Sequence, residues 1–165
     1  MTDPETIYLA LGSNLEDRLA NLQAALAALP PAVTVLRLSP VYETPPWGII
    51  DQPAFLNMAI QADTRLAPPA LLSFLKGLEK DLGRVPSVRY GPRLIDLDIL
   101  FYGERILSIP GLVIPHPHLH ERAFVLVPLA DIAADFVHPI LRQPIRDLLA
   151  GVDATGVKRY GELDG

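Results

Sequence analysis

The chain has no cysteine among its 165 residues, which excludes disulfides, zinc–thiolate centres and thiol catalysis. Long apolar runs are missing as well. Residues 7–11 are apolar but follow Asp3 and Glu5, and they fall far short of the roughly 20 residues that span a bilayer. Nothing near the N-terminus has the pattern of a signal peptide, so a cytoplasmic location without membrane association is expected. Positive charge is in short supply. Lys and Arg number 14 against 19 Asp and Glu, and the net charge of −5 argues against a nucleic-acid binder. A polyphosphate ligand would therefore depend on local arginines or metal ions to overcome the overall field. There is no Walker-type Gly-x-x-x-x-Gly-Lys-Ser/Thr loop, and Gly12-Ser13-Asn14 is too short to cradle a phosphate by itself. Ser13 and Ser39 lack the sequence context that activates a nucleophile.

Half of the residues are apolar and 20% are charged, which suits a soluble globular protein. The length fits one domain with a core of its own, and a monomer is expected. Prolines are abundant, 17 in all, in clusters at 30–31, 45–46, 68–69 and 110–117. They lie between apolar segments, where they stop elements and stiffen loops. Residues 161–165 read as a loose end.

The pattern of apolar residues predicts the elements. Residues 7–11 read as a strand, and Asn14 as the N-cap of a helix carrying Leu15, Leu19, Leu22, Leu26 and Leu29. Residues 33–38 and 41–42 read as extended, 44–53 as a loop, and 55–62 as a strand. Pro68-Pro69 opens a second helix that Gly83 ends, and 84–93 is a polar loop. A strand closed by Tyr102-Gly103 follows, then a helix over 124–133 and a short last one over 145–149. This order fits an α+β, ferredoxin-like sandwich: an antiparallel sheet flanked by helices, expected on one face.

The strand before Tyr102 reads Leu94-Ile-Asp-Leu-Asp-Ile-Leu-Phe101. Side chains on a strand alternate, so Ile95, Leu97, Ile99 and Phe101 should share an apolar face. Asp96 and Asp98 share the other, with Cα atoms about 6.6–7 Å apart. Two carboxylates that close repel each other and resist desolvation. A divalent cation relieves both costs, and Mg²⁺ favours carboxylate, water and phosphate oxygens. A solvated sheet face or a charged edge strand is the other reading. Arg84, Arg89 and Arg93 lie in the loop directly upstream, with Tyr90 among them. Arginines beside a metal-binding carboxylate pair are what phosphoryl-type transfer requires.

A second set surrounds the proline loop. Thr44, Pro45 and Trp47, followed by Phe55 and Asn57, could grip a flat heterocycle by backbone carbonyls, an amide and a stacking ring. Phe124 is a candidate second ring, although Phe55 and Phe124 also suit a core. His116, His118 and His120 alternate in a proline-rich stretch, where a phosphate or nucleotide contact suits His116 better than a zinc site does.

Four segments together carry a resemblance: residues 10–15 (Ala-Leu-Gly-Ser-Asn-Leu), 42–46 (Tyr-Glu-Thr-Pro-Pro), 55–57 (Phe-Leu-Asn) and 91–99 (Gly-Pro-Arg-Leu-Ile-Asp-Leu-Asp-Ile). In these the chain resembles the 6-hydroxymethyl-7,8-dihydropterin pyrophosphokinases of folate biosynthesis. These enzymes transfer diphosphate from ATP to a reduced pterin and release AMP. The resemblance implies that Asp96 and Asp98 bind two Mg²⁺ ions and that Arg84 and Arg93 act on the phosphates. It implies pterin contacts from Thr44, Pro45, Trp47, Phe55, Asn57 and Phe124. ATP contacts would come from Glu79, Arg84, Arg89, Tyr90, Arg93, His116 and Arg122. Tyr90 stands where tryptophan is common in that family, and Phe55 where tyrosine often is.

Overall fold

The computed structural model describes residues 3–45, 53–83 and 94–163. In chain order the elements are β1 (Glu5–Ser13), α1 (Arg18–Ala28), β2 (Val33–Leu38), β3 (Val41–Thr44), β4 (Phe55–Thr64), α2 (Pro68–Asp81), β5 (Asp96–Tyr102), β6 (Leu107–Ile109), β7 (Leu112–Ile114), a 3-10 turn (Leu119–Glu121), α3 (Ala123–Ala133), α4 (Ile145–Ala150) and β8 (Lys158–Gly161). The main sheet runs β5-β1-β4-β3-β8, with β2 also paired to β4. Every strand pair in it is antiparallel, and β6–β7 form a separate hairpin.

The centre of the sheet is buried on both sides. Alternation along β1 sends Ile7, Leu9 and Leu11 into one core with Leu22 and Leu29 of the α1 region and Leu71 and Leu75 of α2. Tyr8 joins Phe101, Leu126, Leu129, Ile132 and Ile145 in a second core with α3 and α4. Helices therefore cover both faces, rather than the single face expected. The apolar residues on both faces of β1 leave no solvated side, and such a sheet needs cover on each.

Local signals set most element ends. Asp17, not Asn14, caps α1, its carboxylate accepting from the Ala20 N–H at 3.1 Å. The helix consequently starts at Arg18, and Leu15 precedes it. Pro68 supplies the first turn of α2, where a missing N–H costs nothing. Gly83 follows with φ of +94°, a left-handed conformation that glycine adopts without strain. α3 forms with Pro128 inside it.

Two expectations about chain course are corrected. The pairing of β1 with β5 shifts register between Tyr8 and Leu9, so Tyr8 opposes Phe101 while Leu9 opposes Ile99. The extra residue is a bulge that turns Phe101 away from Ile95, Leu97 and Ile99 into the second core. At the C-terminus, Gly161 belongs to β8, which pairs with β3, and Leu163 is buried. Of the segment expected to be loose, Gly161 thus joins the sheet and Leu163 the first core, while 164–165 lie outside the described residues.

Phe101 is fully buried, with ring contacts to Tyr8 and Phe136 at 6.2 and 4.7 Å between centroids. Truncation to alanine leaves a cavity beside the bulge. Phe101→Ala should cost about 3–5 kcal/mol in chemical denaturation. A loss below about 1 kcal/mol would show that the second core does not depend on this ring.

Candidate active site

β5 is an edge strand, paired with β1 on one side. Its register sets Asp96 opposite Gly12 and Asp98 opposite Ala10. The Leu97 N–H between them donates to Glu79 Oε2 at 2.7 Å rather than to a neighbouring strand. Glu79 is buried on α2, and its other oxygen accepts from Lys76 Nζ at 3.3 Å. A buried carboxylate thereby closes the sheet edge at the point where two further carboxylates project.

Asp98 feels the crowding. Burial pushes its carboxyl up to about 6, and the neighbouring charge of Asp96 adds to that. Lys76 opposes the shift, Glu79 reinforces it, and Arg122 opposes it. The donor set suits a hard divalent cation, which would remove the repulsion and replace lost solvation. Among the described residues no three His, Asp or Glu side chains gather as a metal cage. Two carboxylates leave coordination positions for water and phosphate oxygens, the manner in which Mg²⁺ is usually held.

His116 and Arg122 stand on the same side. The His116 N–H donates to the Leu100 carbonyl, and its Nδ1 accepts from the His118 N–H. Burial, with the charge of Arg122 next in size, lowers the His116 pKa to about 4. The ring is neutral at neutral pH, with Nε2–H left as a donor. Arg122 precedes α3, and its guanidinium lies 5.7 Å from the Phe124 ring centroid. It therefore links the acidic side of the site to an aromatic ring. His118 and His120 each approach Glu121, at 3.8 and 3.5 Å, on the exposed side of the turn.

The second set assembles where β3 and β4 begin to diverge. Thr44 opposes Phe55 at the end of the ladder. Asn57, 8% exposed, donates from Nδ2 to Thr44 Oγ1 at 2.7 Å. Gly12 sits against this pair. A Cβ there would stand 2.9 Å from Asn57 Oδ1, so any larger residue would have to displace that amide. Pro45 is exposed at the end of the described segment. Trp47, Arg84, Arg89, Tyr90 and Arg93 fall outside the described residues.

The acidic edge and the asparagine–threonine pair are held by one strand, β1, through Ala10 and Gly12. The family model for 7,8-dihydro-6-hydroxymethylpterin-pyrophosphokinase (HPPK) matches residues 8–134, which include both. The chain belongs to this family. It is 45% identical over 157 residues to the 2-amino-4-hydroxy-6-hydroxymethyldihydropteridine pyrophosphokinase of Pseudomonas aeruginosa, covering 94% of this chain and 96% of that protein. The protein of the same name from Methylorubrum extorquens is 47% identical over 154 residues, covering 92% and 96%. Among solved structures, wild-type Plasmodium falciparum HPPK-DHPS with pterin and p-hydroxybenzoate superposes with a TM-score of 0.74 at 17% identity. That match covers 91% of this chain but 42% of the longer one, and at this identity it speaks for the fold. Nothing in the sequence pointed to the charge that Lys76 sets against Asp98, and Asp17 rather than Asn14 caps α1. Lys76 meets Asp98, and Asn14 the Pro53 carbonyl, only in the folded chain.

Because the folded state holds the Asp98 proton more tightly than the unfolded chain, this group lowers stability as pH rises from the ordinary carboxylate range to about 6. The penalty is complete above that. Metal-free Asp98→Asn should be more stable than the parent by on the order of 1–2 kcal/mol at pH 7.5. The gap should shrink toward pH 4, as read from melting curves across pH. A pH-independent difference would remove the charge explanation. Separately, Gly12→Ala should cost about 1–3 kcal/mol by overpacking and shift the Asn57 side-chain amide resonances. An unmoved Asn57 would refute the contact.

Proposed function

We propose that this chain catalyses Mg²⁺-dependent transfer of diphosphate from ATP to the hydroxymethyl group of 6-hydroxymethyl-7,8-dihydropterin, giving AMP and the pterin diphosphate in folate biosynthesis. The observation that carries this reading is the Asp96/Asp98 pair on the edge strand, with Asp98 pushed up to about 6 and held beside Glu79 and Lys76. Family membership supplies the reaction class. The chain would act as a single-domain monomer in the cytoplasm, on small molecules and without nucleic-acid or membrane partners.

Asp96 and Asp98 are the residues that would hold the metal, two ions by the family resemblance. Bound there, Mg²⁺ supplies neutralisation of phosphate charge and alignment of the reacting oxygens. The protein's own contribution is placement. The edge strand, braced by the Glu79 carboxylate, keeps both aspartates in position before substrate arrives. Neutral His116, with an N–H to donate, and Arg122 suit the nucleotide side. Arg84 and Arg93 are assigned to charge stabilisation on the transferring group, and Arg89 and Tyr90 to the nucleotide; Glu79, expected among the nucleotide contacts, is buried with its oxygens on the Leu97 N–H and Lys76 and serves as the brace instead. Thr44, Pro45, Trp47 and Asn57 are assigned to the polar edge of the pterin, and Phe55 and Phe124 to its faces. In the transfer, the pterin hydroxyl oxygen bonds to the β-phosphorus, the bond from that phosphorus to the AMP oxygen breaks, and the hydroxyl proton is released.

The nucleotide product decides the matter. Incubation with ATP, Mg²⁺ and the reduced pterin should release AMP, and omitting any one should stop it. Formation of ADP instead would indicate an ordinary kinase, and binding without turnover a non-catalytic module. Asp96→Asn and Asp98→Asn should each lower kcat by a factor on the order of a thousand. Full activity in both would sink the metal assignment.

A further inference from the structure

One side chain joins the two flanks of the proposed pterin pocket, and the roles assigned above do not include it. Arg18 opens α1, and its Nη1 donates to Glu43 Oε2 at 2.8 Å and to the Ala54 carbonyl at 2.9 Å. Glu43 immediately precedes Thr44, and Ala54 immediately precedes Phe55. A single guanidinium thus spans the backbone flanks that carry two of the pterin contacts. Its carbon also lies 5.5 Å from the centroid of the Tyr160 ring on β8.

The neighbourhood shows why such a tie matters. The β3/β4 ladder is short, and Thr44↔Phe55 is its last pair, where pairing frays most readily. Two further bonds brace the same place. Asn14 Nδ2 donates to the Pro53 carbonyl at 3.0 Å, and Asn57 Nδ2 to Thr44 Oγ1. Between them, the turn after β1 and the first turn of α1 hold the carbonyls of residues 53 and 54. Of Asn14 and Arg18, Arg18 also reaches β3, through Glu43. Its side chain is 22% exposed and that of Glu43 is 42% exposed, so one charge is largely sheltered while the other meets water. The C-terminal segment backs the arrangement. A Cβ at Gly156 would stand 3.3 Å from Pro45 Cγ, and β8 pairs with Tyr42 and Glu43.

We propose that Arg18 is a positioning residue for the pterin half of the site, clamping the Glu43–Thr44 flank to the Ala54–Phe55 flank so that the Phe55 ring and the Thr44/Asn57 pair keep their spacing. The inference rests on the reading of Thr44, Phe55 and Asn57 as pterin contacts. Both hydrogen bonds leave one nitrogen, so lysine at position 18 keeps the charge and a donor able to serve both acceptors, but loses the planar guanidinium near the Tyr160 ring. Methionine keeps the bulk and loses both hydrogen bonds.

The test compares Arg18→Met, Arg18→Lys and Glu43→Gln with the parent in steady-state kinetics for both substrates. It adds equilibrium pterin binding in the presence of a non-hydrolysable ATP analogue. Arg18→Met should raise KM and Kd for the pterin about tenfold while those for the nucleotide stay within about twofold. Arg18→Lys should recover part of the loss. Glu43→Gln keeps an acceptor and should move the pterin values less, in the same direction, and it decides the question if Arg18→Met fails to fold. Unchanged pterin affinity in the folded variants, or equal weakening of both substrates, would overturn the clamp. A parent protein that binds no pterin and releases no AMP would instead overturn the proposed function itself.

Discussion

The Leu97 amide faces out of the sheet edge, and the Glu79 carboxylate takes it. Much of the acidic site depends on that bond. An edge strand with an unsatisfied N–H invites fraying or foreign pairing, and two charged neighbours make it less stable still. Glu79 removes the first problem at the expense of a third carboxylate nearby, with Lys76 as partial compensation. Burial, with the charges of Asp96 and Glu79 adding to it, raises the Asp98 carboxyl. On the proposed function such a site is held ready by structure and would be relaxed by a cation, so the cost of gathering like charges is met before binding rather than during it.

The other half of the molecule solves a different problem. The flat ligand of the proposed function would need a ring and an amide held at fixed separation, yet both stand where β3 and β4 part. Gly12 lets β1 approach Asn57 closely, Asn57 ties itself to Thr44, and Asn14 and Arg18 hold the carbonyls that follow the proline loop. β1 serves both halves, carrying Gly12 toward Asn57 on β4 and toward Asp96 on β5. Its own place is secured by burial on both faces, through Leu9 and Leu11 on one side and Tyr8 on the other.

Much of this was readable from residue order. The proline pairs marked where α1 stops and where α2 starts, because the ring fixes φ and lacks a donor wherever it occurs. The Asp96/Asp98 spacing put both carboxylates on one side of a strand. Other readings failed for identifiable reasons. Asn14 and Asp17 both suit an N-cap, and Asn14 was already committed to Pro53, 39 residues away. Phe101 was assigned by strict alternation, which one bulged residue reverses. β8 carries little apolar signal, since Lys158, Arg159 and Tyr160 are all exposed and the strand is held by pairing with β3.

By itself the sequence determined what is periodic and local: where the apolar strands and the main helices run, which charges travel together, and that Asp96 and Asp98 stand about 7 Å apart. Tertiary structure alone decided that helices cover both faces, that β5 lies at an edge, that Glu79 closes that edge, and that Arg18 bridges Glu43 and Ala54. The division has a physical basis. Alternation and capping follow from bonds within a few residues, whereas edge closure and the clamp join segments 18 to 36 residues apart whose meeting depends on how the whole sheet is ordered.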